Sequence, residues 1–314
     1  MDNRVICVVG PTATGKTKMG VALAKRFGGE VVSVDSMQIY RGMTIGTAAP
    51  TAEETEGIPH HMVAVADPAE SWSVARFTEQ ADRCIQDILR RGKRPVLVGG
   101  TGLYLDSILS GRTFAAGHSG GEVRRALQTE LAQGGIEPLY RQLQAIDPTA
   151  AARLHLSDEK RILRALEVFR ETGETITAHD ARTRLRPPKY RAYTIGLTFR
   201  DRADLYERID CRVDTMVAQG LLQEVEALLK SGLPETATAL QAIGYKQFLS
   251  VYRGDTPARD AVAEVKLRSR QYAKRQLTWL RRKEDIHWIL WEKTPDFPAG
   301  LQNATEYLLA QGLG

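Results

Sequence analysis

Residues Gly10-Pro11-Thr12-Ala13-Thr14-Gly15-Lys16-Thr17 limit what this chain can fold into more than any other stretch. They fit the phosphate-loop pattern G-x-x-x-x-G-K-[ST] at every position. Val5 to Val9 before the loop is an apolar, β-branched run that predicts a buried strand. Lys18 to Phe27 after it carries Met19, Ala22, Leu23 and Phe27 at helical spacing. In a strand-loop-helix unit, backbone N–H groups of the loop and the helix N-terminus converge on an anion. Gly10 and Gly15 permit backbone angles and close approach that a side chain would prevent. Lys16 adds a point charge, and Thr17 offers a hydroxyl to Mg²⁺. The chain is therefore expected to bind a di- or triphosphate.

The same alternation continues. Val31 to Val34 predicts a strand ending at Asp35-Ser36-Met37-Gln38, and Thr47 to Asp67 reads as loop. Ser73 opens a helix to Arg91 that Gly92 stops. Pro95 to Val98 is a third strand, running into Gly99-Gly100-Thr101-Gly102 and a helix from Leu103 to Leu109. Apolar strands alternating with helices predict a parallel sheet covered on both faces, an α/β fold of the P-loop NTPase type. Ligands in such folds sit at the carboxyl ends of the strands, which places Asp35 and Thr101 beside the loop.

From Gly111 to about Arg191 the signals are helical only: Glu122 to Gln133, Leu139 to Ile146, and Asp158 to Glu171 with Ser157 as N-cap. The expected organisation is a catalytic core of residues 1–112 and 192–314 with an all-helical insertion at 113–191. Strand character returns at Tyr193 to Phe199, and Asp201 caps a helix to about Gln219. Thr256-Pro257 starts a long helix to Lys283, with Pro in its first turn. A last strand, Ile286 to Trp291, and a short helix, Leu301 to Leu309, complete the pattern.

Composition narrows the setting. The chain is 43% hydrophobic and 26% charged, and no apolar run approaches the roughly 20 residues a membrane span needs. No cleavable leader is expected at the N-terminus. Cys7, Cys84 and Cys211 are dispersed, as in a reduced cytoplasmic protein, and His60-His61 reads as loop. Net charge is +5, with a block from Lys266 to Lys283 that holds Lys and Arg but no acidic residue. Such a block is either a polyanion-facing surface or a solvated helix face. Many phosphate-loop enzymes place an Asp after a second apolar strand to help hold Mg²⁺. Here Val96-Leu97-Val98 ends in Gly-Gly-Thr instead. The available acid, Asp35, is a metal-linked carboxylate, a base or a turn cap.

Several stretches together carry a resemblance. Gly10 to Thr17, Ser33 to Tyr40 and Val98 to Tyr104 resemble the tRNA dimethylallyltransferases, also called isopentenyltransferases. So do Arg164-Ala165-Leu166-Glu167, Ala242-Ile243-Gly244-Tyr245-Lys246 and Arg270 to Gln276, all in order. With no Cys/His zinc finger after the catalytic region, the similarity is to the bacterial form. The resemblance implies transfer of a dimethylallyl group from dimethylallyl diphosphate to N6 of adenosine 37, in tRNAs that read codons starting with U. The loop then holds a diphosphate leaving group, with Mg²⁺ at Thr17. Asp35 is implied as the base, Thr101 as the contact to the target nucleotide, and Arg212 as a diphosphate ligand, with Arg208 competing for that role. Implied tRNA contacts are Asp35, Ser36, Met37 and Gln38, Thr101, Arg124 (or Arg125), and Lys160, Arg161, Ile162, Leu163 and Arg164. A monomer is implied as well.

Three other readings remain at this level. A nucleotide or metabolite kinase fits the loop alone but not the insertion or the basic block. A nucleotide-dependent RNA-binding switch needs a γ-phosphate sensor, and none is evident. Transfer to free adenylate sits poorly with the basic surfaces, which favour whole tRNA.

Overall fold

Alternation within the first strand sorts the chain into layers, because successive strand residues point to opposite faces. In the computed structural model, which describes residues 2–111, 121–184 and 187–313, β1 spans Arg4–Val9. Its Val5, Cys7 and Val9 join an apolar cluster with Phe77, Ala81, Ile85 and Ile88 of the helix Val74–Arg90. Its Ile6 and Val8 join a second cluster with Met19, Leu23 and Ala24 of the helix Lys16–Arg26. Ala304 and Leu308 of the helix Phe297–Ala310 belong to that second cluster. Each fully buried Val or Ile contributes about 1.5–3 kcal/mol relative to exposure, which is why a strand apolar from Val5 to Val9 needs cover on both sides.

The remaining strands are β2 (Gly29–Val34), β3 (His60–His61), β4 (Arg94–Gly99), β5 (Arg191–Phe199) and β6 (Ile286–Trp291). They form one sheet in the order β3-β2-β4-β1-β5-β6, with every pairing parallel. Gly99 of β4 is in register with Val9 on one side and Val34 on the other. The residues that follow, Gly100, Gly10 and Asp35, therefore leave the sheet at one edge.

Two compact units emerge: Met1–Leu109 with Lys189–Gly314, and Ser110–Pro188. The first holds the sheet. The second packs the helices Glu122–Gly134, Ile136–Ile146, Pro148–Ala151, Glu159–Thr172 and Ile176–Arg184 around Leu127, Leu139, Leu143, Ile162, Leu163 and Leu166. Asp147 ties two of these helices, accepting from Ala150 N at 2.9 Å and from Thr177 Oγ1 at 2.7 Å.

Several local expectations need correction. The first helix starts at Lys16, not Lys18, because Gly15 takes a left-handed conformation (φ 83°) that turns the chain straight into it. The Thr47–Asp67 stretch contains a capped turn of helix, Ala52–Thr55, and His60–His61 pairs with β2 as an edge strand. Ser157 caps nothing: the helix starts after Asp158, whose Oδ2 instead accepts from His155 N at 3.0 Å. Pro257 is the N-cap of the helix Ala258–Leu280, held extended at ψ 142°, and does not lie within its first turn. Residues 189–191 belong to the sheet unit, since β5 starts at Arg191 and Tyr190 is buried in that unit's core. The expected boundary at 112/113 lies outside the described residues.

Candidate active site

At the sheet edge just defined lies a cavity of about 1160 Å³. Its wall includes Thr12, Ala13, Gly15, Lys16 and Thr17 of the loop, Asp35 to Gln38 after β2, and Gly99 and Gly100 at the end of β4. Arg208 and Arg212 of the helix Arg202–Ala218 and Tyr272 and Gln276 of the helix Ala258–Leu280 close another side.

The loop is held from behind by residues that do not line the cavity. A Cβ at Gly10 would stand 2.3 Å from the Leu197 carbonyl, so only glycine fits there. Thr14 is buried; its Oγ1 donates to Pro11 O at 2.9 Å, and its own carbonyl accepts from Trp291 Nε1 at 3.0 Å. Phe297 covers Gly15 so closely that a Cβ would meet its ring at 2.3 Å. Ala13 sits at φ 66°, a left-handed conformation that costs a non-glycine residue about 1–2 kcal/mol. Such strain persists where the surroundings impose it, often at a functional site.

Lys16 Nζ donates to Pro11 O at 2.6 Å. Burial, then the neighbouring Arg212 charge, pushes its ammonium down to about 7, with Asp35 pulling the other way. Arg212 itself is lowered by burial and supported by the charges of Glu54 and Asp35. Arg208 reaches the loop from the same helix, with Nε 3.4 Å from Ala13 O. Both arginines thus face the cavity, Arg212 from the more enclosed position.

Asp35 is both turn cap and half-buried acid on the cavity wall. Its Oδ1 accepts from Met37 N at 2.8 Å and Gln38 N at 3.3 Å, which fixes the carboxylate. Its Oδ2 has no hydrogen bond among the described residues. Its charge acts on Lys16, Arg212, Tyr104 and Tyr272 alike. Tyr104 is pushed up to about 12, by burial first and then by the Tyr40, Asp35 and Tyr272 charges.

Thr101 lies behind the wall rather than on it. Its Oγ1 is buried with no partner of good hydrogen-bond geometry among the described residues. The Tyr272 phenol lies beside it, raised chiefly by burial and then by Asp35. Gln38 is committed to the protein: Oε1 accepts from Ser33 Oγ at 2.8 Å, and Nε2 donates to Thr47 O and Ala48 O at 3.2 and 3.0 Å. Its side chain shapes the cavity, so of the Asp35–Gln38 stretch Asp35 and Ser36 retain polar groups for a ligand.

The wall formed by Thr44 to Ala49 has no motif of its own. Glu224, from the helix Leu221–Lys230, accepts from Thr44 N, Ile45 N and Gly46 N at 2.8, 2.8 and 3.1 Å. Tyr245 Oη donates to Glu224 Oε1 at 2.5 Å. The one sequence signal was Tyr245 within the Ala242–Lys246 stretch.

Within the helical unit, Ile162 and Leu163 are core residues and cannot offer side chains to RNA. Lys160 and Arg161 are exposed. Arg164 Nη1 donates to Glu167 Oε2 at 2.9 Å, and Arg124 Nη1 lies 3.8 Å from the same oxygen. Glu167 is buried, so these two cations serve to neutralise it; Arg125 is the exposed one. The basic block also divides. Lys266 pairs with Asp214 at 2.7 Å and Arg270 with Asp210 at 2.5 Å, because their helix packs on Arg202–Ala218. Lys274, Arg275, Arg281 and Arg282 remain exposed.

Among the described residues no three His, Cys, Asp or Glu side chains converge on a metal position. A cation that keeps several waters and borrows ligand phosphate oxygens needs no such cage, only a hydroxyl and one or two carboxylates. Thr17 on the cavity wall supplies that hydroxyl, and the Glu54 carboxylate lines the same cavity. No helix among the described residues is long and apolar enough to cross a membrane.

Comparison with known proteins adds an independent line. The family described as IPP transferase matches residues 38–283, and the one described as isopentenyl transferase matches residues 3–65. A tRNA dimethylallyltransferase of Acetivibrio thermocellus is 42% identical over 313 residues, 100% of this chain and 99% of its own. One from Geobacter metallireducens is 46% identical over 91% of this chain and 92% of its own. The crystal structure of a Bacillus halodurans tRNA isopentenylpyrophosphate transferase superposes with a TM-score of 0.72 at 40% identity, covering 99% and 97% of the two chains. A eukaryotic dimethylallyltransferase captured acting on tRNA gives 0.82 at 30% identity, covering 98% of this chain and 78% of that one.

Proposed function

This chain belongs to the tRNA dimethylallyltransferase family, and we propose that it transfers a dimethylallyl group from dimethylallyl diphosphate to N6 of adenosine 37 in tRNAs that read codons starting with U. The products are N6-isopentenyladenosine and diphosphate. The observation that carries the reading is one cavity whose lining includes Lys16, Thr17, Arg212 and Asp35 together.

As the allylic C–O bond breaks, negative charge gathers on the departing diphosphate. Fixed loop amides, the Lys16 ammonium and Arg212 stabilise that charge as it forms. A divalent cation, Mg²⁺ in this reading, would be held by the Thr17 hydroxyl and supply further neutralisation of the leaving group. An exocyclic adenine amine is a weak nucleophile, so its proton must leave while the N–C bond forms. Asp35 Oδ2, free while Oδ1 is pinned, accepts that proton. The target base sits in a single-stranded loop, from which it can be turned out to reach an enclosed carboxylate. Lys160, Arg161 and Arg125 of the helical unit, and Lys274, Arg275, Arg281 and Arg282 of the sheet unit, are the cations proposed to meet tRNA phosphates. Action as a monomer in the cytoplasm belongs to the same proposal. The kinase alternative is not favoured, since the curated relatives are named as prenyl transferases.

The test is a transfer assay with labelled dimethylallyl diphosphate, undermodified tRNA and Mg²⁺, run beside AMP and ATP. Label is expected in tRNA, from the allylic donor only. Label entering AMP alone, or phosphate moving from ATP, contradicts the proposal.

A further inference from the structure

We infer that Gln276 is a positioning residue that ties the diphosphate loop to the strand end carrying Thr101, and so sets donor against acceptor. The inference rests on the prenyl-transfer reading above. Gln276 lies on the helix Ala258–Leu280 and is 7% exposed. Its Oε1 accepts from Thr12 N at 3.2 Å, and its Nε2 donates to Gly100 O at 3.0 Å. Thr12 is in the middle of the phosphate loop, and Gly100 directly precedes Thr101. The two bonds need opposite ends of one amide, so the side chain has a single orientation that satisfies both partners.

Space at this junction is fully used. A Cβ on Gly100 would stand 2.2 Å from Gln276 Nε2 and 3.1 Å from Gly10 O. The glycine before Thr101 thus lets the helix side chain reach both strand ends at once. Because Gln276 already accepts the Thr12 N–H, it shapes the loop rather than serving as a ligand. Transfer needs the allylic carbon and N6 within about 3–3.5 Å and in line, and a 1 Å error at a distance from the chemistry can cost about 100-fold. A rigid amide bridge between the phosphate loop and Gly100, both on the wall of the same cavity, removes that error.

The experiment compares the full-length chain with Q276M, which keeps the side chain's length but makes neither bond. Q276N, too short to span both partners, is the second variant. Single-turnover transfer to undermodified tRNA is measured beside affinities for Mg²⁺–pyrophosphate and for tRNA. Transfer is expected to fall about 30- to 100-fold, with both dissociation constants within about threefold of the unaltered chain. Transfer within threefold of the unaltered chain overturns the inference. So does a rate loss matched by an equal loss of pyrophosphate affinity, which makes Gln276 a diphosphate-site residue. If Q276M does not fold, Q276N is judged by the same criteria. Absence of transfer by the unaltered chain removes the prenyl-transfer reading, and this inference with it.

Discussion

Two stretches of the cavity lining are built in different ways. The loop at residues 10–17 is made by neighbours in sequence: a strand, two glycines and a helix starting at Lys16. A second stretch of the lining, Thr44 to Ala49, is irregular chain held by Glu224 and Tyr245 from far along the sequence and by Gln38. The first stretch offers backbone N–H groups and fixed charge, so a change there should remove chemistry and leave the fold intact. The second is held by side chains whose loss disturbs shape first.

Lys16→Ala should show the largest effect: kcat/KM for the allylic donor is expected to fall by about 1000-fold, with unfolding in urea little changed. Near-normal turnover would take the loop out of the mechanism. Glu224→Ala attacks the other stretch. Removing a charged acceptor from three backbone amides and a phenol should cost about 1.5–3 kcal/mol in urea unfolding and raise the donor KM about tenfold. Unchanged stability would mean the wall is not held as described. Raising salt from 50 to 200 mM should weaken tRNA binding at least about tenfold. Glu substitution of Arg281 and Arg282 should flatten that dependence more than substitution of the ion-paired Lys266 and Arg270. Equal effects would erase the division within the basic helix.

The smallest effect concerns protons. Lys16 is held near 7 when the cavity carries no anion, against 10.5 for an ordinary lysine. A diphosphate restores its charge. At pH 8.5 pyrophosphate binding should therefore take up close to one proton, and at pH 6 almost none, so affinity falls as pH rises above 7. In the ligand-free protein the same depression opposes folding below about pH 7 and fades as pH rises toward 10.5. Calorimetry in buffers of differing ionisation enthalpy reads the uptake, and Lys16→Ala should abolish it.

What the sequence revealed follows the same division. The parallel sheet, the phosphate loop and the helix closed by Gly92 were legible because periodicity and punctuation act over a few residues. The strand β3 was not, since two residues, His60 and His61, carry no alternation to detect. The helix Ile176–Arg184 was missed because it is polar around its circumference and shows no apolar stripe. Ile162 and Leu163 stood inside a motif-like stretch, and only packing revealed them as core. Gln38, Glu224 and Gln276 were illegible as cavity-shaping groups because their partners lie on separate turns, strands or helices. A single sequence does not pair such residues.

The central claim is that Asp35 acts on a proton while the loop acts on the leaving group. The most direct test is the single-turnover transfer rate of Asp35→Ala with saturating donor and tRNA, beside its tRNA affinity. A fall of about 100- to 1000-fold in rate, with affinity within threefold of the unaltered chain, is the predicted result. A rate within threefold, or equal losses in rate and affinity, would contradict the account and leave Asp35 as the cap of a turn.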